Sequence, residues 1–468
     1  MAERLALDYP FRYTRVMRVY LESLGCRLNH AEMFALGRQL ADAGHSLSPT
    51  AEDADICVLN SCAVTGEAAR KSGQLLRQMA GEDASPRLVV TGCYATLEGE
   101  RLAALPGVAL VVGNSRKDAL ARIIEELCPF ERPPAAQTPW MSALPAQGRT
   151  RAFVKVQDGC RNRCTFCVVT LARGDERSRS IADIVVEVRR LVMDGYQEVI
   201  LTGVHLGGYG HERGAGLATL VTSILSDTDI PRLRLSSLEP FDLAPDFFSL
   251  WEQGEGSTPT GGRLMPHLHL PAQSGSDAVL KRMARRNTVA GFEALVAEAR
   301  VRIPGVTITT DMIVGFPGET EADFEESMAF VRRVGFAHIH VFPYSARVGT
   351  AAARFAGQLP EAERRRRSRL MNELDGALGA AVRRSFVGQT HRVLYESRAA
   401  SEHTGAVCDE APGVLWSGLT DNYLRVRTAL PAGLDARNRI LPTRLVEVSG
   451  GDLIGEVRCD EWNTGAPI

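Results

Sequence analysis

The sequence lacks several features that would each have placed it in a special class. Its formal net charge is −2, and a chain without a strong basic field binds nucleic acid only through local patches. No apolar run approaches the length of a membrane span. The first residues are broken by charges and a proline and contain no apolar signal segment. Internal repeats and low-complexity tracts are also missing. We therefore expect a cytosolic protein with no membrane partner.

The chain is nevertheless rich enough in apolar residues to fold. Of its 468 residues, 45% are hydrophobic and 24% are charged, which is usual for a soluble globular protein. This length exceeds one ordinary core and predicts two to four domains. Ten cysteines are present. Because the cytosol keeps thiols reduced, we expect grouped cysteines to bind a metal or cluster rather than to form disulfides.

Residues 16–130 alternate short β-branched runs with helical patterns, which predicts a parallel α/β domain. Residues 131–150 contain four prolines and no periodicity, and are predicted to be a linker. In residues 151–385 six further strands alternate with helices, which predicts an open or closed parallel barrel with its chemistry at the carboxyl ends of the strands. Residues 386–458 form short alternating runs typical of a small all-β barrel. The predicted fold class is therefore α/β with a C-terminal β module.

Three details of this pattern are testable. Continuous helices are predicted at about 241–251 and 276–302, and residues 252–263 are predicted to be a surface insertion. A trailing helix at 361–385 carries seven arginines against four acids. Its arginine run at 364–367 is predicted to be a solvated helix face.

Three cysteines lie within the stretch DGCRNRCTFCVVT, where Cys160, Cys164 and Cys167 form a C-x3-C-x2-C pattern after the first predicted barrel strand. A zinc site or an electron-carrying cluster usually has four protein ligands. Three thiolates on a 4Fe–4S cube would leave one iron open to a substrate or cofactor, as catalytic zinc sites keep one position open. The alternative is a structural zinc site completed by a distant residue, and His205 and His211 are near enough in sequence to be its ligands.

A second trio is less visible. Cys26, Cys62 and Cys93 each follow the carboxyl end of a predicted parallel strand. Adjacent parallel strands bring such positions together at one edge of the sheet, where doubly wound folds bind ligands. The alternative for each residue alone is an ordinary buried cysteine. The other four cysteines of the chain are interpreted as cysteines of that ordinary kind, namely Cys57, Cys128, Cys408 and Cys459.

The C-x3-C-x2-C loop, with Phe166 between its last two cysteines, resembles that of the radical S-adenosylmethionine superfamily. Together with the upstream trio and the C-terminal β module, it makes residues 16–458 resemble a methylthiotransferase. That resemblance implies that residues 151–385 form a partial (βα)6 radical barrel. It also implies a second 4Fe–4S cluster on Cys26, Cys62 and Cys93, and an RNA-binding TRAM module at 386–458.

Finer motifs resemble the bacterial enzymes that act on N6-threonylcarbamoyladenosine at position 37 of tRNA. This resemblance implies that the cluster on Cys160, Cys164 and Cys167 cleaves S-adenosylmethionine to a radical that activates C2 of the base. It further implies that the second cluster supplies a methylated sulfur. The implied partners are a tRNA anticodon loop and an electron donor such as flavodoxin or ferredoxin. The motifs are NSCAVTGEAARKS, TGCYA, VGNSRK, LTGVHLGGYG, RLSSLEP and HVFPYSARVGTAA.

Other interpretations stay open at this point. An enzyme of the same architecture acting on isopentenyladenosine or on a ribosomal-protein aspartate is one. A non-enzymatic RNA-binding protein with structural zinc is another. The sequence also departs from the family pattern, with Thr170 where a proline is usual and Ala272 where a larger apolar residue is usual.

The resemblance also implies further cofactor contacts at strand ends, for which ordinary turns are the alternative. These candidates are Phe166, Gly203, Ser237, Glu239, Gln273 and Gly315. In the β module, Arg425 and Arg427 alternate on one predicted strand and so share a face that can meet phosphates. Tyr423 is a candidate to stack on a base.

Overall fold

The computed structural model describes residues 16–79, 87–127, 150–243, 246–252, 262–399, 406–407 and 411–458. Two compact units are present, Met1–Ala63 with Glu67–Gln147, and Val64–Gly66 with Gly148–Ile468. Within the described ranges, no helix combines the length and apolar character needed to cross a membrane. Outside those ranges lie linker residues 131–149, insertion residues 253–261, and Cys128, Cys408 and Cys459.

The first unit is built on a parallel sheet in the order β2-β1-β3-β4-β5. Every residue of the central strand β3 is buried, as expected for a strand covered on both faces by helices. The predicted parallel α/β arrangement is confirmed. The strands are β1 (Arg18–Ser23), β2 (Ser46–Leu47), β3 (Ile56–Ser61), β4 (Arg87–Gly92) and β5 (Val108–Val112), and the helices are α1 (Arg27–Asp42), α2 (Gly66–Met79), α3 (Cys93–Leu97), α4 (Gly99–Ala103) and α5 (Leu120–Leu127).

The second unit begins with the predicted partial barrel. Parallel strands run in the order β6-β9-β10, then β11-β12-β13, and the parallel bridges Leu233–Leu264 and Ser237–His269 join the two sets. The strands are β6 (Arg151–Lys155), β7 (Gln157–Asp158), β8 (Arg177–Ser178), β9 (Glu198–Thr202), β10 (Arg232–Leu235), β11 (His267–His269), β12 (Thr307–Val314) and β13 (His338–Pro343). The helices are α6 (Val169–Arg173), α7 (Ile181–Met193), α8 (Leu217–Asp227), α9 (Asp277–Arg282), α10 (Val289–Arg302), α11 (Glu321–Val334) and α12 (Glu361–Ser385).

Two predicted helices are wrong in detail. The described part of residues 241–251 contains only short 3-10 turns, at Pro240–Asp242 and Phe247–Trp251, because Pro245 in the sequence supplies no N–H and disfavours helix at the residue before it. The helix predicted at 276–302 is two helices, α9 and α10. Ala284 between them adopts a left-handed φ of 57°, and the Thr288 hydroxyl accepts a hydrogen bond from Gly291 N at 3.1 Å to start α10.

The arginine run on α12 is only partly solvated, which corrects the prediction. Arg365 is exposed, but Arg367 is buried and its guanidinium lies 3.5 Å from the Glu319 carboxylate and 2.7 Å from that of Glu363. Burial raises the pKa of Glu319 to about 7, although the positive charge of Arg367 acts in the opposite direction and lowers it. Arg367 of α12 therefore packs against the turn before α11, where Glu319 lies.

The C-terminal module is a small closed β barrel, as predicted. Neighbours follow the order β14-β18-β19-β17-β16, and β16 pairs with β14 to close the ring. Its core packs around Trp416 and Tyr395, and the Tyr395 hydroxyl hydrogen-bonds Thr428 and Thr443. The strands are β14 (Thr390–Arg398), β15 (Ala406–Val407), β16 (Ala411–Thr420), β17 (Arg425–Pro431), β18 (Ile440–Ser449) and β19 (Asp452–Glu456).

The turn between β16 and β17 covers the amino-terminal end of the partial barrel. Arg234 donates to the Asp421 carbonyl at 3.0 Å, and Asn422 donates to the Gly305 carbonyl at 3.1 Å. The Tyr423 ring stacks on His267 with centroids 4.5 Å apart. The β module thereby forms the floor of the barrel.

A buried ion network holds that floor. Glu198 is fully buried, 3.0 Å from Arg234 and 3.6 Å from Arg232. Burial alone would raise the pKa of Glu198, but the charges of Arg234, Arg232 and Arg151, with hydrogen bonds from Arg234, lower it to about 2. This stabilisation is therefore complete above the ordinary glutamate pKa and is lost as the pH falls towards 2.

Replacing Glu198 with glutamine should lower the free energy of unfolding of the second unit by about 3–5 kcal/mol, because it leaves buried arginine charge uncompensated. Urea denaturation followed by circular dichroism measures the change. Glu361→Gln is the matched control, because its pair with Arg365 is exposed at the surface and such pairs contribute little. Equal stability of the two variants would contradict a stabilising role for the network.

Candidate functional site

The Cys160 loop lies above the carboxyl end of β6, where the sequence placed it. Its ends are held by hydrogen bonds from Cys160 N to Gly174 O at 3.1 Å and from Thr165 N to Met283 O at 3.0 Å. A Cβ on Gly159 would meet Asp175 O at 1.9 Å, and its φ is 72°, so this position requires glycine. The Phe166 ring packs edge-on against Phe316 at 6.5 Å. The loop is thus built into the top of the barrel.

The three thiols of this loop are partly buried, and backbone donors face two of them. Burial raises the pKa of Cys160 to about 11 and that of Cys167 to about 12, and also raises the pKa of Cys164. Positive charge from a metal centre is what deprotonates such thiols. Donors already face the sulfurs, Asn162 N at 3.3 Å from Cys160 Sγ and Val169 N at 3.4 Å from Cys167 Sγ. Hydrogen bonds of this kind tune cluster thiolates.

The spacing of the ligand atoms shows whether either trio is preformed around a single ion. Among the described residues, two sets of three ligand atoms lie within 4.8 Å of one another, and neither contains more than one cysteine. With Zn–S bonds of about 2.3 Å, the sulfurs around one tetrahedral zinc lie only about 4 Å apart. Neither cysteine trio is that compact, so neither is preformed around a single zinc ion.

His205, the candidate ligand in the zinc alternative, forms contacts with two carboxylates. Its Nδ1 lies 2.6 Å from Glu176, and its Nε2 forms a short contact with Asp242. Burial lowers the pKa of His205, but hydrogen bonds from it to Asp242 and Glu176 outweigh burial and raise the pKa. Cys160, Glu176 and His205 also place three potential ligand atoms within 4.8 Å of one another, so the geometry around His205 leaves the zinc alternative open.

The departure at Thr170 has a local explanation. Its hydroxyl lies 3.4 Å from Cys160 O and 3.2 Å from Asn162 O, and therefore ties the first turn of α6 to the cysteine loop. At the other departure, Ala272 is buried and its N donates to Thr310 Oγ1 at 3.0 Å. Nothing in the structure explains why a smaller side chain stands there.

The remaining predicted contacts lie at strand ends, but in different surroundings. Ser237 is exposed and Gln273 is half-buried with a φ of 71°. Glu239 forms a 2.5 Å ion pair with Arg285. A Cβ on Gly203 would meet Gln157 Oε1 at 2.9 Å, and one on Gly315 would meet Arg364 Cγ at 2.5 Å. Close packing therefore explains why glycine stands at both positions, which agrees with the alternative of ordinary turns. The cofactor roles of the two glycines stay predictions.

Sequence reasoning missed two residues that hold this site together. Buried Arg285 lies 3.8 Å from Cys164 Sγ and also donates to Pro271 O at 2.9 Å. Gln157 donates to Gly159 O at 2.8 Å and accepts from His205 N at 2.8 Å. Neither lies in a motif that signals chemistry. A cavity of about 440 Å³ opens beside the loop, lined by Arg161, Asn162, Cys164, His205, Phe241 and Arg286 among others.

In the first unit, the structure places the second trio as predicted. Cys26, Cys62 and Cys93 follow β1, β3 and β4, which are neighbours in the parallel sheet. A Cβ on Gly25 would lie 2.6 Å from Cys62 Sγ, so glycine allows the first loop to approach the second. Cys26 is exposed, and the other two cysteines are buried. Their role as ligands stays a prediction.

A buried polar network beneath this trio was not predicted. Lys117 Nζ lies 2.7 Å from Glu32 and 3.1 Å from Asn60 Oδ1, with both charged side chains almost fully buried. Asn114 donates to Cys93 Sγ at 3.7 Å, and Cys26 Sγ lies 3.7 Å from Asn29 Oδ1. These partners come from three different elements, which is why no local sequence signal marks them.

In the β module, one predicted RNA contact is wrong. Tyr423 cannot present its ring to a base because the ring lies between His267 and Arg234, with the Arg234 guanidinium 4.7 Å from the ring centroid. Arg425 and Arg427 do alternate on β17. Arg425 is exposed, whereas Arg427 pairs with Asp452 at 2.6 Å.

Comparison with known proteins supplies the family. A profile described as "Uncharacterized protein family UPF0004" matches residues 18–113, and one described as "Radical SAM superfamily" matches residues 154–331. Threonylcarbamoyladenosine tRNA methylthiotransferase MtaB of Bacillus subtilis is 33% identical over 418 residues, covering 87% of this chain and 89% of that protein. The chain belongs to the radical S-adenosylmethionine methylthiotransferase family.

Other methylthiotransferases are similar to the same extent. MtaB of Thermotoga maritima is 35% identical, covering 81% of this chain and 86% of that protein. The tRNA-2-methylthio-N(6)-dimethylallyladenosine synthase of Cereibacter sphaeroides is 36% identical, covering 85% and 93%. As a family member, this methylthiotransferase is an enzyme that uses S-adenosylmethionine and a 4Fe–4S cluster.

The fold of this methylthiotransferase also has solved counterparts. The radical S-adenosylmethionine methyltransferase TsrM from Kitasatospora setae superposes with a TM-score of 0.53 at 14% identity, covering 72% of this chain and 77% of that one. At such low identity the likeness concerns the fold alone, and it agrees with the predicted α/β class.

Proposed function

We propose that this enzyme adds a methylthio group to C2 of N6-threonylcarbamoyladenosine in the anticodon loop of tRNA. The proposal rests on the alignment of the chain with MtaB relatives over most of its length. It also rests on a second cysteine trio, which lies at adjacent strand ends and is separate from the Cys160 loop. Adenine C2–H is too weakly acidic for a side-chain base, so a cofactor must supply the chemistry. The dimethylallyladenosine synthases make that nucleoside the second candidate substrate.

Within the barrel, Cys160, Cys164 and Cys167 would hold the cluster that binds S-adenosylmethionine. When bound, this cluster supplies the electron for cleavage of the cofactor. The protein orients and protects that chemistry: Gln157 and Thr170 fix the loop, and Phe166 packs it onto the barrel. Ser237, Glu239, Gln273, Gly203 and Gly315 are proposed to line the cofactor site.

In the first unit, Cys26, Cys62 and Cys93 would hold the second 4Fe–4S cluster. Asn114 places a donor at Cys93 Sγ, and a donor there compensates thiolate charge. Buried negative charge needs such compensation. We assign residues 16–130 to this domain, 131–150 to a linker, 151–385 to the radical domain and 386–458 to a TRAM-like RNA-binding module. Flavodoxin or ferredoxin is the proposed class of electron donor.

Mass spectrometry of tRNA nucleosides tests the reaction and the substrate together. Cells that lack the gene should lose 2-methylthio-N6-threonylcarbamoyladenosine and accumulate its precursor without the methylthio group, and a plasmid copy should restore the product. Loss of 2-methylthio-isopentenyladenosine instead would keep the family and reject the proposed substrate. An unchanged tRNA profile would reject both.

A further inference from the structure

A polar cluster of three residues lies on the inner face of the partial barrel, outside the cysteine sites. The outer faces of β11, β12 and β13 are apolar and fully buried at Leu268, Met312 and Ile339. Because strand side chains alternate, the inner face carries His269, Asp311 and His340, which together are called the lumen cluster.

The lumen cluster is organised and accessible. Its three ligand atoms lie within 4.8 Å of one another, and His269 Nε2 is 3.3 Å from Asp311 Oδ1. His340 stands opposite Asp311 in the β12–β13 register. Thr309 Oγ1 lies 2.9 Å from His269 Nδ1 and orients that ring. The solvent-exposed fraction of the side chain is 9% for His269 and 25% for Asp311, and His340 is exposed.

Residues above and below the lumen cluster on the same strands place it between the Cys160 loop and the floor of the barrel. Ile313, two residues beyond Asp311 on the same face, packs in the apolar cluster that contains Phe166. At about 3.3 Å per residue, the lumen cluster is therefore about 7 Å below that contact. On the other side, His267 precedes His269 on the same face and stacks on Tyr423 of the floor.

The chemistry of these side chains favours a polar substituent over an apolar one. An apolar group placed among them would remove the imidazoles and the carboxylate from water without providing hydrogen bonds, which is costly. A threonylcarbamoyl group carries a carboxylate, a hydroxyl and ureido N–H groups, so it offers both acceptors and donors. Sites built to hydrogen-bond a substrate strongly reject an analogue that lacks the polar group.

We propose that the lumen cluster selects substrates whose N6 substituent carries a carboxylate, a selectivity that rests on the proposed function. His340 donates to that carboxylate. Asp311, oriented by His269, accepts from the hydroxyl or ureido N–H of the same substituent. This is a specificity role, and it is separate from cleavage of S-adenosylmethionine at the cysteine loop.

The test compares the reconstituted wild-type enzyme with His340→Phe on two tRNAs that differ only in the N6 substituent, threonylcarbamoyl or isopentenyl. Loss of a hydrogen bond to a charged group should lower kcat/KM on the threonylcarbamoyl tRNA by about 10- to 150-fold. Turnover of the isopentenyl tRNA should stay equal or rise, and cleavage of S-adenosylmethionine without tRNA should be unchanged. His340→Gln, which keeps a donor, should restore part of the preference.

Val301→Phe is the control for the introduced phenylalanine, because Val301 is exposed on α10 and lies outside the lumen cluster. It should behave as wild type. His338 is unsuitable as a control, since its ring packs against that of His340 with centroids 4.5 Å apart. Equal losses on both tRNAs, or an unchanged preference in His340→Phe, would overturn the proposal. Co²⁺ binding to the lumen of the wild type that disappears in His340→Phe would overturn it in favour of a metal site. If the wild-type enzyme itself ignores threonylcarbamoyl tRNA, the proposed function fails instead.

Discussion

Replacing any one of Cys160, Cys164 and Cys167 with alanine will reduce cleavage of S-adenosylmethionine at least about 10³-fold, the scale expected when one member of a group that acts as a unit is removed. Burial raises the pKa of all three thiols, and backbone and guanidinium donors face the sulfurs. Two remaining thiolates cannot hold the cluster in the geometry that leaves one iron open. Production of 5′-deoxyadenosine, measured by liquid chromatography with a chemical reductant, reports the loss directly.

Cys57→Ala is the matched control for these substitutions. Cys57 lies inside β3, fully buried, and burial raises its pKa to about 12. No strand end or trio includes it, so its replacement should leave cleavage and iron content near those of wild type. If a Cys160 trio variant still cleaved the cofactor at the Cys57→Ala rate, the assignment of that loop would be wrong.

Cys62→Ala will separate the two halves of the reaction. Cleavage of S-adenosylmethionine should continue, because the Cys160 loop is untouched. Methylthiolated tRNA should fall to background, because the proposed second cluster loses a ligand from the central strand of its sheet. Iron and sulfide analysis should show about half the wild-type content, since one 4Fe–4S centre would remain.

Two outcomes would contradict this assignment of cofactor cleavage to the first trio and sulfur insertion to the second. A Cys62→Ala enzyme that still makes methylthiolated tRNA would remove the second cluster from the reaction. Loss of cofactor cleavage in the same variant would instead show that the two trios do not act independently. Glu198→Gln, His340→Phe and the nucleoside analysis test other parts of the molecule.

The placement of the cysteines could be predicted from the sequence because it depends on local pattern. Cys160, Cys164 and Cys167 lie within one loop, and their spacing is visible without any fold. Cys26, Cys62 and Cys93 required one more step, that equivalent positions after parallel strands share a sheet edge. That step held because β1, β3 and β4 are neighbours.

Errors arose where distant packing overrides local preference. Arg367 looked solvated because its neighbours are charged, but the turn before α11 buries it against Glu319. Tyr423 was predicted to stack on a base, but its ring packs against His267 in the floor of the barrel. Single residues also divided the helix predicted at 276–302, where the backbone at Ala284 is left-handed.

The sequence by itself therefore determined the α/β class, the order of the main strands, and the positions of both cysteine trios along the chain, because hydrophobic periodicity and short spacings are local properties. Only the tertiary structure decided which polar residues meet. His269, Asp311 and His340 are scattered along the chain, and Glu198 reaches Arg232 and Arg234 from another strand. Such contacts depend on which strands become neighbours in the sheet, and a local sequence pattern does not encode that order.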